Sequence, residues 1–138
     1  MIALDTNVLA RFYVDDPNDP EASKQRPIAR KVLAESASIF VPRTVILELE
    51  WVLRAFYGFG NTEFVQVVRH LLGLPNVHVE GWEHVDSALH WHLDGLDFAD
   101  AIHLAASEHC DELLSLDDKR FSRRANRLSL KPTVRTPV

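Results

Sequence analysis

The chain contains 138 residues, of which 46% are hydrophobic and 25% are charged, and its formal net charge at pH 7 is -5. This length and composition are typical of one soluble globular domain, which we expect to span residues 1–138. The short apolar stretches exclude a membrane span, and the single cysteine, Cys110, excludes an intrachain disulfide and favours a reducing, cytoplasmic location.

Apolar periodicity and turn residues divide the chain into alternating strands and helices. Thr44 is a plausible cap for the third helix, and Asn61 or Thr62 for the fourth. The proline-rich stretch at 15–27 is expected to be an acidic surface segment. In chain order, the predicted elements are a strand at 1–4, helices at 6–14 and 28–37, a strand at 38–42, helices at 44–56 and 61–73, a strand at 76–80, helices at 82–93 and 97–109, a strand at 112–116, a basic helix at 118–128 and a strand at 133–138.

Strands that alternate with helices predict an α/β fold with right-handed crossovers. We therefore expect a central, mainly parallel sheet that is flanked by helices on both faces. In sheets of this kind, ligands bind outside the carboxyl ends of the strands. Residues that directly follow a strand are accordingly the first candidates for a functional site.

Several acidic residues occupy such positions. Asp5 follows the first predicted strand and Asp117 follows the fourth, so both are expected at one edge of the sheet. Asp97 and Asp100 are three residues apart at the start of a helix, where they share a face and suit the positive helix N-terminus. Glu48 lies in a helix that is otherwise largely apolar.

A cluster of carboxylates requires a counter-ion. Two carboxylates 4 Å apart repel by roughly 4 kcal/mol at a surface-like dielectric, so several cannot stay ionised together in one cleft. Oxygen ligands favour Mg²⁺ or Mn²⁺ over zinc. Two such ions would form a site that cleaves phosphodiesters, which would explain why Asp5 ends a strand without a charged neighbour.

Each acid also has a simpler interpretation. Asp5 could cap the helix that begins at Thr6, and Asp117 could form a turn with Asp118. Asp100 could be a solvated residue of a first helical turn. Glu48 could face solvent or pair with a neighbouring arginine. The joint occurrence of these acids at element ends is what favours a shared role.

Four segments, taken together and in order, resemble the motifs of the PIN-domain family and, within it, the VapC-type toxins of toxin–antitoxin modules. The resemblance covers nearly the whole chain, and the combination of motifs is specific although each one alone is weak. The segments are ALDTNVLARF, VILELEWVLRAFYG, LDFADAIHLAA and ELLSLDDKRFSRRA.

The resemblance carries the family's site residues to matching positions. The first three motifs place metal-binding acids at Asp5, Glu48 and Asp100. Asp97 occupies the position of a frequent auxiliary acid. Asn7 matches a small polar residue that helps to order the site.

The last motif leaves an ambiguity. In the family, this motif has a Ser or Thr, then one residue, and then the acid. This spacing selects Ser115 and Asp117. The interval from Asp117 to Phe121 is one residue longer than this pattern leads us to expect, and it fits Asp118 better. We prefer Asp117 because it ends the strand, and we keep Asp118 as the alternative.

The resemblance implies a metal-dependent endoribonuclease. Asp5, Glu48, Asp100 and Asp117 would hold one or two Mg²⁺ or Mn²⁺ ions, with Asp97 as a further ligand, and cleavage would leave a 3′-hydroxyl and a 5′-phosphate. It also implies a homodimer and a VapB-type antitoxin protein that blocks the groove. The residues proposed to bind RNA phosphates are the arginines of the basic helix, which are Arg120, Arg123, Arg124 and Arg127.

Three alternatives stay open. A haloacid-dehalogenase-like phosphatase also begins with a strand that ends in aspartate, but it carries a second acid where this chain has Asn7. A receiver-like domain gathers acids around magnesium, but it needs an early acidic pair that the first strand lacks. A non-catalytic PIN scaffold would bind RNA or protein without cleavage, so the product formed is what separates these interpretations.

Overall fold

A computed structural model describes the whole chain, residues 1–138. The chain forms two compact units, which we call unit 1 (Met1–Trp82) and unit 2 (Glu83–Val138). Each unit combines helices with parallel strands, so the α/β class and the parallel strand pairing that were predicted are confirmed. None of the helices has the length and apolar character that a membrane-spanning helix requires.

Unit 1 contains a three-stranded parallel sheet in the order β1-β2-β3. The central strand is the most buried, because Ile39 and Val41 on it have no exposed surface, whereas Ile2 on the edge strand is 47% exposed. Two helices connect each successive pair of strands. The elements are β1 (Ile2–Ala3), α1 (Thr6–Tyr13), α2 (Pro20–Glu35), β2 (Ile39–Val41), α3 (Arg43–Tyr57), α4 (Asn61–Leu72) and β3 (Val77–Val79).

Unit 2 contains a two-stranded parallel sheet, in which β4 pairs with β5. Its apolar core includes the fully buried Leu96, Phe98 and Leu104, and the nearly buried Phe121 and Val134. A π-helical turn precedes its last helix. The elements, beginning with the helix that starts at the end of unit 1, are α5 (Trp82–Leu93), α6 (Phe98–Ala106), β4 (Glu112–Leu114), the π-helical turn (Asp118–Ser122), α7 (Arg123–Arg127) and β5 (Thr133–Arg135).

Helix α2 begins at Pro20, so more than half of the proline-rich segment predicted at 15–27 is helical, although most of its residues are exposed as predicted. The side chain of Asp19 caps this helix by accepting a hydrogen bond from the Glu21 N–H at 3.0 Å, and proline at the first helical position loses no hydrogen bond. Pro27 lies inside the helix. Because proline has no N–H, the carbonyl of Ser23, four residues earlier, receives no helical hydrogen bond. Both residues are exposed, so water can bind to this carbonyl.

Helix α3 begins one residue before its predicted cap, Thr44, and α4 begins at Asn61, one of its two predicted caps. The first residue of α3 is Arg43, whose N–H donates to Oε1 of Glu80 at 2.9 Å, so a side chain distant in sequence replaces the expected local cap. Gly60 precedes α4, and its N–H donates to Oε1 of Glu63 at 2.9 Å. Thr44 therefore lies inside α3 and caps nothing.

Candidate active site

Asp5 lies immediately after β1 and caps α1. Its Oδ1 accepts a hydrogen bond from the Thr6 N–H at 2.7 Å, so the capping interpretation of this residue is correct. The side chain is exposed, and Oδ2 has no hydrogen-bond partner in the chain. Capping therefore orients the carboxylate and leaves one of its oxygens available to a ligand.

Glu48 is brought to the same place by Thr6. The buried hydroxyl of Thr6 donates a hydrogen bond to Oε1 of Glu48, which lies on the third helix of unit 1. The neighbouring acid Glu50 points inward, is 8% exposed and forms an ion pair with Arg54 at 3.0 Å. Glu48 is thus the acid of α3 that faces outward beside Asp5.

An open cleft of about 280 Å³ contains these groups, and we call it the α1–α3 cleft. Thr6 forms its base and is only 4% exposed, whereas Asp5 and Glu48 are exposed along it. Asn7 also lines the cleft, and its expected role in ordering the site stays a prediction, because its side chain makes no hydrogen bond within the chain. The lining residues are Asp5, Thr6, Asn7, Ala10, Arg11, Glu48, Val52 and Tyr57.

In unit 2, Asp97 and Asp100 occupy the start of α6. Oδ1 of Asp97 accepts a hydrogen bond from the Asp100 N–H at 3.1 Å, so Asp97 is the cap of this helix. The side chain of Asp100 is partly buried and forms no hydrogen bond or ion pair within the chain. The two acids therefore lie together at the start of a helix, as the sequence predicted.

The pKa of the Asp100 carboxyl is raised from its ordinary value of 3.8 to about 6, and burial is the largest cause. The carboxylates of Asp97 and Asp117 contribute to this rise, while His103 and Arg124 oppose it. An acid in this position favours either a proton or a nearby cation. This is the behaviour expected of a carboxylate that binds a metal ion when one is supplied.

The π-helical turn explains the long interval between Asp117 and Phe121 in the last motif. A π-helix contains more residues per turn than an α-helix, and here the Ser122 N–H donates to the Asp117 carbonyl, five residues earlier, at 3.1 Å. This wider turn accommodates the extra residue before Phe121, which is buried. Asp117 accepts from a backbone N–H, and its own N–H donates to Oγ of Ser115 at 3.1 Å.

Asp118 has a different environment from Asp117. Its Oδ2 forms an ion pair with Nε of Arg123 at 2.7 Å. Asp117 instead contributes to the electrostatic environment of Asp100 and is bound by no arginine side chain. These contacts favour Asp117 as the acid of the last motif and Asp118 as the partner of a nearby arginine.

The basic helix predicted near the C-terminus is a π-helical turn followed by the five-residue α7. All four of its candidate arginines are exposed, but they are engaged differently. Arg123 is held by its ion pair, and Nη1 of Arg124 donates to the Gly95 carbonyl at 3.1 Å. The side chains of Arg120 and Arg127 have no partner in the chain, so they are available to an anion.

The donor chemistry of the motif acids fits a hard divalent cation, since all of them are carboxylates. No group of three or more His, Cys, Asp or Glu side chains is close enough to hold a metal ion by itself. Magnesium ions are commonly bound through only one or two carboxylates together with water and substrate phosphates. The pair formed by Asp5 and Glu48 is a donor set of that kind.

The ion pairs of the chain leave the motif acids without cationic partners. The ion pairs that the structure shows include none of Asp5, Glu48, Asp97, Asp100 and Asp117. The acids that do pair are Asp15, Asp19, Glu50, Glu108, Asp118 and Glu112.

Three polar residues of the α1–α3 cleft were not singled out from the sequence. Thr6 was considered only as the start of a helix, although its position directly after Asp5 was a signal. Arg11 lies four residues after Asn7, so the two share a face of α1. Tyr57 is the last residue of α3, and nothing in the local sequence connects it with the cleft.

Comparison with known protein families gives one result that bears on this site. The family model of the PIN domain matches residues 2–127, which include every motif acid. No protein of curated function matches the chain.

Proposed function

Because the chain belongs to the PIN-domain family, whose members are typically metal-dependent nucleases, we propose that it is a VapC-like endoribonuclease that requires Mg²⁺ or Mn²⁺. We further propose that one PIN domain spans residues 1–138, since the family match extends through both units. The observation that carries the proposal is the lack of a cationic side chain on any motif acid. Carboxylates kept free of lysine and arginine are available to a metal ion.

In this proposal, the ligands of one or two divalent ions are Asp5, Glu48, Asp100 and Asp117, with Asp97 as an auxiliary acid. A bound divalent ion would supply the positive charge that activates water and stabilises negative charge on the phosphate. The chain's own donors fix the carboxylates beforehand. Thr6 orients Asp5 and Glu48, while Ser115 supports the backbone of Asp117.

Arginines of unit 2 are proposed to bind the RNA backbone. Arg124 and Arg127 line a pocket of about 250 Å³ together with Asp94, Gly95 and Leu128. Arg124 is fixed by the Gly95 carbonyl, whereas Arg127 is exposed and has no partner. A phosphate there would gain charge-assisted hydrogen bonds from both guanidinium groups. Arg120 and Arg123 extend this basic surface.

The proposed biological role is that of a toxin that is neutralised by a VapB-type antitoxin and acts as a homodimer. Exposed carboxylates in an open cleft suit such an inhibitor, because an arginine of the antitoxin could replace the charge of the metal ion. The PIN-family match also favours this interpretation over a haloacid-dehalogenase-like phosphatase. A non-catalytic PIN scaffold is distinguished from it by the products formed.

The deciding experiment is to incubate purified, antitoxin-free protein with total RNA from its host in Mn²⁺ and to map the new RNA ends. We expect discrete cuts that leave 5′-phosphates and 3′-hydroxyls, and that disappear with EDTA and with Asp100→Asn. Asp111→Asn is a matched control, because Asp111 is exposed, lies outside the motif acids and forms no ion pair. Intact RNA in the presence of folded, metal-bound protein would indicate a binding scaffold.

A further inference from the structure

The α1–α3 cleft has a cationic end as well as an acidic one. Asp5, at the start of α1, and Glu48 form the acidic end. Arg11 lies six residues after Asp5 on α1, which corresponds to about 9 Å along a helix axis. Tyr57, at the end of α3, lines the cleft beside Arg11. The two ends therefore offer different chemistry to one extended ligand.

Neighbouring side chains fix the guanidinium of Arg11. Its Nε donates to Oε1 of Gln25 at 2.9 Å, and its Nη1 donates to the Tyr57 hydroxyl at 3.1 Å. Gln25 is itself oriented, because its amide donates to Oε1 of Glu21 at 2.9 Å. A guanidinium that is already ordered loses little conformational entropy when it binds an anion.

The charge of Arg11 is only weakly compensated. Its nearest carboxylate is that of Asp19, with 3.8 Å between Nη2 and Oδ2, which is beyond hydrogen-bonding distance. The Arg11 side chain is 22% exposed, so its remaining N–H groups can be reached from the cleft.

Asn7 adds a neutral donor between the two ends. It lies one helical turn before Arg11, and its side chain is exposed and makes no hydrogen bond within the chain. The buried Ala10 between them has a small side chain and leaves the cleft open. The Tyr57 hydroxyl accepts from Arg11 and retains its own proton for donation.

We propose that Arg11, Tyr57 and Asn7 form a binding site for a backbone phosphate of single-stranded RNA, next to the phosphate that is cleaved. This inference rests on the proposed nuclease function and adds to it a substrate-binding site in unit 1. Arg11 supplies charge and two-pronged hydrogen bonding, while Tyr57 and Asn7 supply neutral hydrogen bonds. The separation of about 9 Å along α1 assigns Arg11 to a phosphate that flanks the reacting one.

The test is the affinity of the full-length protein for a short, labelled single-stranded RNA of mixed sequence, measured by fluorescence anisotropy at several salt concentrations. Ca²⁺ replaces Mg²⁺, and a gel confirms that the RNA stays intact. The variants are Arg11→Ala, Arg11→Lys and Tyr57→Phe. Arg30→Ala is the matched control, because Arg30 is an exposed arginine of α2 without an ion pair.

We expect Arg11→Ala to weaken binding about tenfold at low salt, since it removes charge-assisted hydrogen bonds. It should also reduce the slope of log K against log salt by about 0.7, the contribution of one phosphate contact on a single strand. Arg11→Lys should keep the slope and lose part of the affinity. Tyr57→Phe should keep the slope with a few-fold loss, and Arg30→Ala should match the wild-type protein.

The outcomes test the phosphate site independently of the proposed nuclease function. An unchanged slope in Arg11→Ala would overturn the phosphate site even if the protein cleaves RNA, and so would a wild-type protein that does not bind this RNA. A reduced slope in a protein that never cleaves RNA would support the phosphate site and contradict the nuclease. If Arg11→Ala does not fold, wild-type affinity in both Arg11→Lys and Tyr57→Phe would overturn the proposal.

Discussion

Thr6 contacts two candidate metal ligands at once. Its backbone N–H donates to Asp5, and its hydroxyl donates to Glu48. The side chain is buried whereas both carboxylates are exposed, so Thr6 is a fixed anchor for groups that would otherwise move. Metal sites depend on such supporting hydrogen bonds because they set the direction of the ligand lone pairs.

We therefore predict that Thr6→Val lowers the metal-dependent cleavage rate about tenfold, or roughly 1.4 kcal/mol in activation free energy. Valine preserves the shape and removes the hydroxyl, so the free energy of unfolding should fall by only about 1 kcal/mol. Thr6→Ser retains the hydroxyl and should restore most of the rate. Initial rates in Mn²⁺ and thermal unfolding curves provide the measurements. A wild-type cleavage rate in Thr6→Val would show that the hydrogen bond from the Thr6 hydroxyl to Glu48 is not needed for cleavage.

Asp100 should make the stability of the metal-free protein depend on pH. Its pKa rises from 3.8 to about 6 in the folded chain, so between these values the folded state holds a proton that the unfolded state releases. Stability from this group is therefore present below pH 3.8 and is lost as pH rises towards about 6.

The corresponding variant is Asp100→Asn, which cannot ionise. In EDTA, we predict that the melting temperature of Asp100→Asn minus that of the wild-type protein is larger at about pH 7.5 than at about pH 4. Differential scanning fluorimetry at both pH values measures the change, with Asp111→Asn as the control for loss of one exposed acid. A difference between Asp100→Asn and wild type that is the same at both pH values would contradict the proposed environment of Asp100.

At the scale of elements, the ends of α3 and α4 provide a matched pair of glycines. Gly58 ends α3 in the left-handed conformation, with φ of 68°, and its N–H donates to the carbonyls of Arg54 and Leu53. Gly73 ends α4 with φ of -83°, which any residue can adopt. The same substitution should therefore have different effects at the two ends.

We predict that Gly58→Ala lowers the free energy of unfolding by about 1 kcal/mol, because a Cβ is unfavourable in the left-handed region. The added methyl group at Gly58 meets no atom within 4 Å, so conformation alone causes the loss. Gly73→Ala should be nearly neutral, since its Cβ would make ordinary contacts at 3.5 Å. Urea denaturation of both variants measures the difference. An equal loss of unfolding free energy in the two variants would contradict a special need for glycine at Gly58.

Local sequence predicted most elements because their signals are local. Asp5 and Asp97 cap the helices that follow them, and apolar runs bounded by turn residues became strands. The cap of α3 could not be predicted in this way, since its acceptor is Glu80, far along the chain. The start of α2 was missed because prolines were taken as helix breakers, although Pro20 occupies a favourable first position.

The same distinction between local signals and contacts distant in sequence applies to the candidate site. Its acids could be proposed from their positions after strands and from the motif resemblance. Their hydrogen-bond partners could not, because the bond between Thr6 and Glu48 spans 42 residues and that between Arg11 and Tyr57 spans 46. The π-helical turn was also beyond local signals, although the extra residue before Phe121 indicated an irregularity.

At the scale of the whole molecule, two large aromatic side chains of α3 are exposed next to each other. Trp51 is 51% exposed and Phe56 is 68% exposed, and their rings pack edge to face with centroids 5.3 Å apart. Adjacent exposed aromatic residues are typical of protein interfaces, because their burial on association releases much apolar surface from water. We assign this aromatic pair to the proposed homodimer.

Removal of this pair should weaken the homodimer without unfolding the protomer. We predict that Trp51→Ser combined with Phe56→Ser raises the dimer dissociation constant at least about tenfold, since exposed aromatic anchors commonly contribute 2 kcal/mol or more to an interface. Sedimentation equilibrium of both proteins measures the constants. Trp82→Ser is the control, because Trp82 is similarly exposed, at 55%, and lies outside α3. Unchanged dimerisation in the double variant, or equal weakening by the control, would assign the interface to another surface.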